Sequence, residues 1–331
     1  MSERHPVAFY CVCGAQYFLG VVAMVNSLRL LGHTDPIFIL DFGLSAARRD
    51  FLAREATIVA GPRDVPPWLL KTTAPLRYPA DTTVLIDADM IATRSLVPLI
   101  ERASSGGVVA FRNDRDHFVA EWGELLDLGP IRRQPYVSSG LVALGGAEGT
   151  EVLRLLDDRQ GRVDVEQGIF GRRVPGYAFM FPEQDVLNAI LWSRLDPDDL
   201  TVLEHRLAPV PPFSGLRIAS GATLRCAYAD GEAPYVLHHI ARKPWLARMR
   251  SSVYSRLLTR LLLGDDVALR LDPHEVPLRL RTGPAARAAR LGVDYAIGGP
   301  SYVHRRLEGE RIGDAGNPDY QAPPHRGHRY G

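Results

Sequence analysis

Apolar and polar positions along the chain switch between two periods, and the switching lays out the fold. Val7 to Cys13 is an apolar, β-prone run, and Gly20 to Leu31 follows it with Val21, Val22, Val25, Leu28 and Leu31 at helical spacing. The pair predicts a β-α unit. Short apolar runs recur at Ile37 to Leu40, Thr57 to Ala60, Val84 to Ile86 and Val108 to Phe111, with helical patterns between several of them. Strands that lack a polar alternation are covered on both faces, so this order predicts an α/β fold with a mostly parallel sheet. Ligands of such sheets bind beyond the carboxyl ends of the strands.

The pattern continues with an apolar run over Val137 to Leu144, an amphipathic helix around Glu151 to Leu156, and a Gly-rich polar stretch through Gly176. A further helix is expected from near Pro182, and a last strand over Tyr235 to Leu237 follows the Pro-rich Pro209 to Pro212. Residues 1–250 are therefore read as the principal domain. Helix candidates over Val253 to Leu263 and Pro284 to Leu291 predict a small helical extension over 251–312, and 313–331, rich in Gly, Pro, His and Arg, reads as a flexible tail.

Composition narrows the function classes. Of 331 residues, 46% are hydrophobic and 23% charged, which excludes disordered and collagen-like chains. A net charge of +1 leaves no broad electrostatic footprint for nucleic acid. No run approaches the roughly 18 to 20 apolar residues of a membrane span, although the Arg-rich end could rest on a membrane surface. The N-terminal MSERHPVAFYCVC lacks the pattern of a secretory signal, and Cys11, Cys13 and Cys226 are too few for a disulfide framework. A cytoplasmic protein is expected. Lys71 and Lys243 are the only lysines, all other basic side chains being Arg. A retained ammonium in such a chain draws attention to sites that use a compact point charge.

Chemistry is suggested where the fourth strand ends, in Leu85-Ile86-Asp87-Ala88-Asp89. Residues two apart in extended chain share a side, so both carboxylates can face one divalent cation. Taken alone, the pair also suits a solvated loop, or a haloacid-dehalogenase-type phosphatase with Asp87 as nucleophile and Asp89 as general acid. Around it stand Gly14-Ala15-Gln16-Tyr17, Asn26-Ser27-Leu28, Tyr136-Val137-Ser138-Ser139-Gly140, Glu183-Gln184-Asp185, His238-His239 and Lys243-Pro244-Trp245, in that order.

With these motifs, residues 7 to 246 resemble the family 8 glycosyltransferases, the group that includes glycogenin and the lipopolysaccharide galactosyltransferases. The resemblance implies a GT-A type nucleotide-diphospho-sugar transferase fold and a retaining transfer of a hexose from a UDP-sugar to a saccharide or other hydroxyl acceptor. It implies uridine contacts at Val12, Cys13 (through its backbone) and Tyr17, the last by stacking. Lys71, Ala88, Asp114, Ser138, Ser139, Gly140 and Asp185 fall where donor contacts are expected. Asp87, Asp89 and His238, with His239 as the alternative, would hold the metal; carboxylate plus imidazole favours Mn²⁺, with Mg²⁺ as the alternative. Lys243 would meet the β-phosphate, Glu183 the sugar hydroxyls, and Gln184 the developing sugar cation. Ser138 replaces the usual Asn and Glu183 the usual Asp, so the donor sugar stays open, and so does a module that binds nucleotide sugar without turnover.

Overall fold

The computed structural model describes residues 4–62, 65–240, 242–247 and 251–298. In chain order, β1 (His5–Gly14) leads to α1 (Phe18–Leu30), β2 (Ile37–Phe42), α2 (Ala46–Leu52), β3 (Thr57–Ala60) and α3 (Thr73–Arg77). Then come β4 (Ala80–Ile86), β5 (Met90–Ala92), α4 (Val97–Ser104), β6 (Gly107–Arg112), α5 (Trp122–Leu125), β7 (Val137–Gly145), α6 (Gly146–Gln160) and α7 (Pro182–Arg194). The rest comprises β8 (Leu200–Leu203), β9 (Arg217–Ser220), β10 (Arg225–Ala227), β11 (Val236–His238), α8 (Val253–Leu263) and α9 (Pro284–Gly298). A seven-stranded sheet runs β3-β2-β1-β4-β7-β6-β8. β7 is antiparallel to both its neighbours and every other pairing in that sheet is parallel.

The apolar runs lack alternation because both faces of the sheet are covered. On β1, Phe9, Cys11 and Cys13 enter one core, shared with α1 and α8, while Ala8 and Tyr10 enter the other, shared with α6 and α7. α1 is buried from Phe18 to Leu28, on all sides rather than along one stripe. Its outer side is closed by α8, whose Tyr254, Leu257, Leu258, Leu261 and Leu262 belong to the same core. Polar ties reinforce the contact: the Asn26 amide donates to the carbonyls of Leu261 (2.7 Å) and Leu269 (2.8 Å) and accepts from the Leu269 N–H (2.7 Å). α8 is thus continuous in packing with the principal core, and residues 299–312 of the expected extension lie outside the described residues. The tail expected over 313–331 lies outside the described residues, among which no helix is long and apolar enough to cross a membrane.

Two small pairings position the site. β11 lies antiparallel to β5 with His238 opposite Met90 and Leu237 opposite Ile91, so the last strand returns to the residue that follows Asp89. β9 and β10 form a separate antiparallel pair.

Candidate active site

Asp87 and Asp89 sit in the short connection between β4 and β5, at the carboxyl end of a central parallel strand. That connection is held from three directions: the Asp87 N–H donates to the Gly140 carbonyl (2.9 Å), the His239 N–H to the Asp89 carbonyl (3.1 Å), and the Tyr254 hydroxyl to the same Asp89 carbonyl (2.9 Å). On its fourth side, Gly20 of α1 approaches so closely that a Cβ there would stand 2.3 Å from the Ala88 carbonyl oxygen and 2.7 Å from the Trp245 ring. Ala88 is thereby buried against α1.

His238 arrives from β11. Its Nε2 lies 3.2 Å from Asp89 Oδ1 and 3.6 Å from Asp87 Oδ2, and the three side chains offer ligand atoms within 4.8 Å of one another. Gly140 makes room for the imidazole, since a Cβ there would meet His238 Cε1 at 2.6 Å. His239 faces the opposite way, as the next residue of an extended chain must. Its ring packs edge-on against Tyr254 and Phe213, and burial and Lys243 lower its pKa to about 4. Of the two histidines named from the sequence, His238 is the one placed with the carboxylates.

Each carboxylate divides its oxygens. Lys71 Nζ takes Asp87 Oδ1 at 2.7 Å and Lys243 Nζ takes Asp89 Oδ2, which leaves Asp87 Oδ2 and Asp89 Oδ1 turned towards His238. Asp89 Oδ1 is buried and accepts no hydrogen bond. Burial opposes ionisation of Asp89, but His238 and Lys243 outweigh it and hold its pKa well below the usual carboxylate range. A buried lone carboxylate oxygen facing an imidazole nitrogen and a half-exposed second carboxylate is a donor set that fits a divalent first-row cation. Both lysines of the chain are spent on this cluster. Lys243 also donates to the His239 carbonyl and lies 5.4 Å from the centre of the Tyr17 ring. Trp245 secures its turn by donating to the Gln16 carbonyl at 2.7 Å.

Lys71 extends the network to α7. Besides Asp87 it reaches Glu183 Oε1 at 3.3 Å and donates to the Ser139 carbonyl at 3.0 Å. Burial disfavours its ammonium, yet Asp87 and Glu183 keep its pKa above the ordinary amine range. The Ser139 hydroxyl donates to Glu183 Oε2 (3.0 Å), and the Ser139 N–H donates to Gln184 Oε1 (3.2 Å). Burial, with Asp87 adding to it, pushes Glu183 up to about 7 against the pull of Lys71. Ser138 and Asp114 line a cavity with Asn113, Phe111, Met90 and His238, beside the acids.

Three of the expected residues are placed as follows. Asp185 is fully buried and turned away: its carboxylate accepts from the Tyr136 hydroxyl and the Phe181 N–H and pairs with His117 Nδ1 at 2.8 Å. It braces the start of α7, because the helix turn that directs Glu183 towards Lys71 and Ser139 carries Asp185 to Tyr136 and His117. The Cys13 thiol is buried in the core under the sheet, so only its backbone, with half-buried Val12, stands at the strand exit beside Tyr17. His239, already noted, lies outside the ligand cluster. No motif marks Tyr254, which holds the acidic turn from α8, or His117, which holds α7; Tyr136 opens the Ser138-Ser139-Gly140 motif, but its bond to Asp185 is not readable from it.

No protein-family model and no curated protein sequence matches this chain. Solved structures do. An active-site mutant of LgtC matches with a TM-score of 0.50 and 16% identity, over 77% of this chain and 94% of that one. The galactosyltransferase LgtC in complex with donor and acceptor sugar analogs gives 0.47 and 17% identity over 86% and 99%. The glycosyltransferase GlyE of Streptococcus pneumoniae TIGR4 gives 0.46 and 15% over 79% and 61%. At such identities the likeness speaks for architecture, and this chain has the GT-A type fold.

Proposed function

We propose that the protein is a metal-dependent retaining glycosyltransferase that moves a hexose from a UDP-sugar to a hydroxyl acceptor on a saccharide. The observation that carries this reading is the convergence of Asp87, Asp89 and His238 on one point, with a lysine on the far oxygen of each acid. The resemblance of the ordered motifs to family 8 and the sugar analogs bound by LgtC agree with it. The three buried, unpaired cysteines fit a cytoplasmic setting.

Transfer breaks the bond from the anomeric carbon to a diphosphate oxygen and forms one from that carbon to the acceptor oxygen on the same face. The acceptor proton passes to the departing phosphate oxygen. Asp87, Asp89 and His238 would hold the cation, Mn²⁺ by the chemistry of the donor set, which supplies fixed positive charge against the diphosphate. Lys243 adds a second positive charge on the same side without giving up its proton. Tyr17 offers its ring to the uracil at the exit of β1. Glu183, fixed by Lys71 and Ser139, presents a carboxylate to sugar hydroxyls. Gln184 is a neutral amide and a poor nucleophile, so it stabilises positive charge on the sugar rather than forming a covalent adduct.

Hydrolysis of UDP-glucose, UDP-galactose and UDP-N-acetyl sugars with Mn²⁺ tests the reading. At least one donor should be cleaved, and Asp89→Asn should abolish cleavage while circular dichroism stays unchanged. Nucleotide binding without cleavage would identify a silent module, and cleavage of a simple phosphate monoester without sugar nucleotide would identify a phosphatase.

A further inference from the structure

Phe170 is 63% exposed, more than any other large apolar side chain among the described residues, yet its ring is packed on one face. Its ring stacks on Trp68 with centroids 4.7 Å apart and planes 25° from parallel. The loop that carries it is pinned by backbone hydrogen bonds from Ile169 to Met180 (2.8 Å), Arg172 to Glu166 (2.7 Å) and Val174 to Gln167 (2.9 Å). The segment that carries Trp68 is tied down next to it, where the Gln160 side chain donates to the Leu69 carbonyl at 2.7 Å and to Thr72 at 3.1 Å. A rigid aromatic face left in water is costly unless something covers it, and it has lost little entropy still to be lost on binding.

The two rings stand on loops that end in the site. Trp68 is three residues before Lys71, and Gly168, two residues before Phe170, packs against Pro182, where a Cβ would lie 2.8 Å from Pro182 Cγ, next to Glu183. Lys71 and Glu183 are themselves 3.3 Å apart. We propose that Phe170, backed by Trp68, is the platform on which one pyranose ring of the saccharide acceptor lies, its C–H face on the aromatic ring and its hydroxyls directed towards the Lys71–Glu183 side. A pyranose has one face rich in C–H groups and a polar rim: the C–H face suits the flat Phe170 ring, and the loops that carry the two rings run on to Lys71 and to Pro182 beside Glu183. The assignment of that ring to an acceptor rests on the glycosyltransferase reading; the platform itself does not.

Tryptophan emission gives a direct probe, because Trp122, Trp192 and Trp245 are buried and Trp68 is the partly exposed one. Lactose, maltose and chitobiose are titrated into the full chain with Mn²⁺ and UDP, and the same sugars are offered as acceptors. At least one should change the emission of the unaltered protein. Phe170→Ala should weaken that response and raise the acceptor KM about tenfold, Phe170→Tyr should restore both, and the rate of donor hydrolysis should be the same in all three proteins. The exposed ring supports little of the core, so thermal unfolding of Phe170→Ala serves as the folding control. No emission change with any of the three sugars overturns the platform, as does a Phe170→Ala protein that loses hydrolysis and transfer in equal measure. A sugar response that depends on Phe170, in a protein that cleaves no UDP-sugar, supports the platform and overturns the glycosyltransferase reading.

Discussion

Gly140→Ala should injure the site through packing alone. The added Cβ would stand 2.6 Å from His238 Cε1, 2.6 Å from Met90 Cε and 2.9 Å from His238 Nδ1, whereas ordinary contact begins at 3.4 Å. About 0.8 Å must therefore be found. Met90 Cε is the free end of a flexible chain and can swing aside. The imidazole cannot, because its other edge faces Asp89 Oδ1 at 3.2 Å and its backbone is paired to β5. Overpacking of this kind costs about 1–3 kcal/mol. At an open site with compatible backbone the same substitution would stabilise by about 0.4–1 kcal/mol, so the sign of the effect separates the two cases. Urea unfolding of the unaltered protein, Gly140→Ala, His238→Ala and the double variant forms a cycle. With the imidazole gone, the cost of Gly140→Ala should fall, giving a coupling of about 1–2 kcal/mol. An equal cost in both backgrounds would refute the account of why glycine stands beside the histidine.

Asn26→Ala should cost about 3 kcal/mol in urea unfolding, because three buried hydrogen bonds to Leu261 and Leu269 are lost; a cost under about 1 kcal/mol would mean that α8 is held by apolar contact alone. Mn²⁺ at a hundredfold excess over its dissociation constant should add about 2.7 kcal/mol of stability, and both EDTA and Asp89→Asn should remove that increment, read as a shift in Tm. The His33 ring accepts a hydrogen bond from the Leu96 N–H at 3.0 Å, and burial lowers its pKa from 6.5. Its contribution should therefore be complete above the unfolded-state pKa and lost as pH falls through the interval between 6.5 and the lower folded value. The slope of stability against pH over that interval should flatten in His33→Gln, and an unchanged slope would exclude His33 as its source.

Much of the sheet was legible because its strands are covered on both faces and so appear as unbroken apolar runs; Thr57 to Ala60 and Val137 onwards coincide with β3 and β7. β5 stayed hidden because Met90–Ala92 directly continues the acidic turn, and β8, β9 and β10 because Thr201, Arg217, Ser220 and Arg225 break up runs that are already short. The order of the site motifs could be read, whereas their orientation could not. His238, the last residue of β11, and His239, just beyond it, point to opposite sides, and which of them meets the acids depends on the pairing with β5. Asp185 looked like a partner of Glu183 because the sequence carries no sign that Tyr136 and His117 converge beneath it. Lys71 stands out by its rarity and by the resemblance, whereas its salt bridge to Asp87 closes a loop through α3 and β4 that no local pattern encodes.

The confinement of lysine to this cluster makes the protein unusually easy to observe. Reductive methylation with ¹³C-formaldehyde would place side-chain labels at Lys71 and Lys243 alone, one on each acid of the turn. The two side-chain signals, distinct from that of the terminal α-amine, would then follow nucleotide and cation arrival at the two carboxylates separately. Crosslinkers and tags that attack ε-amines would, for the same reason, strike the working parts of the molecule or nothing on its surface.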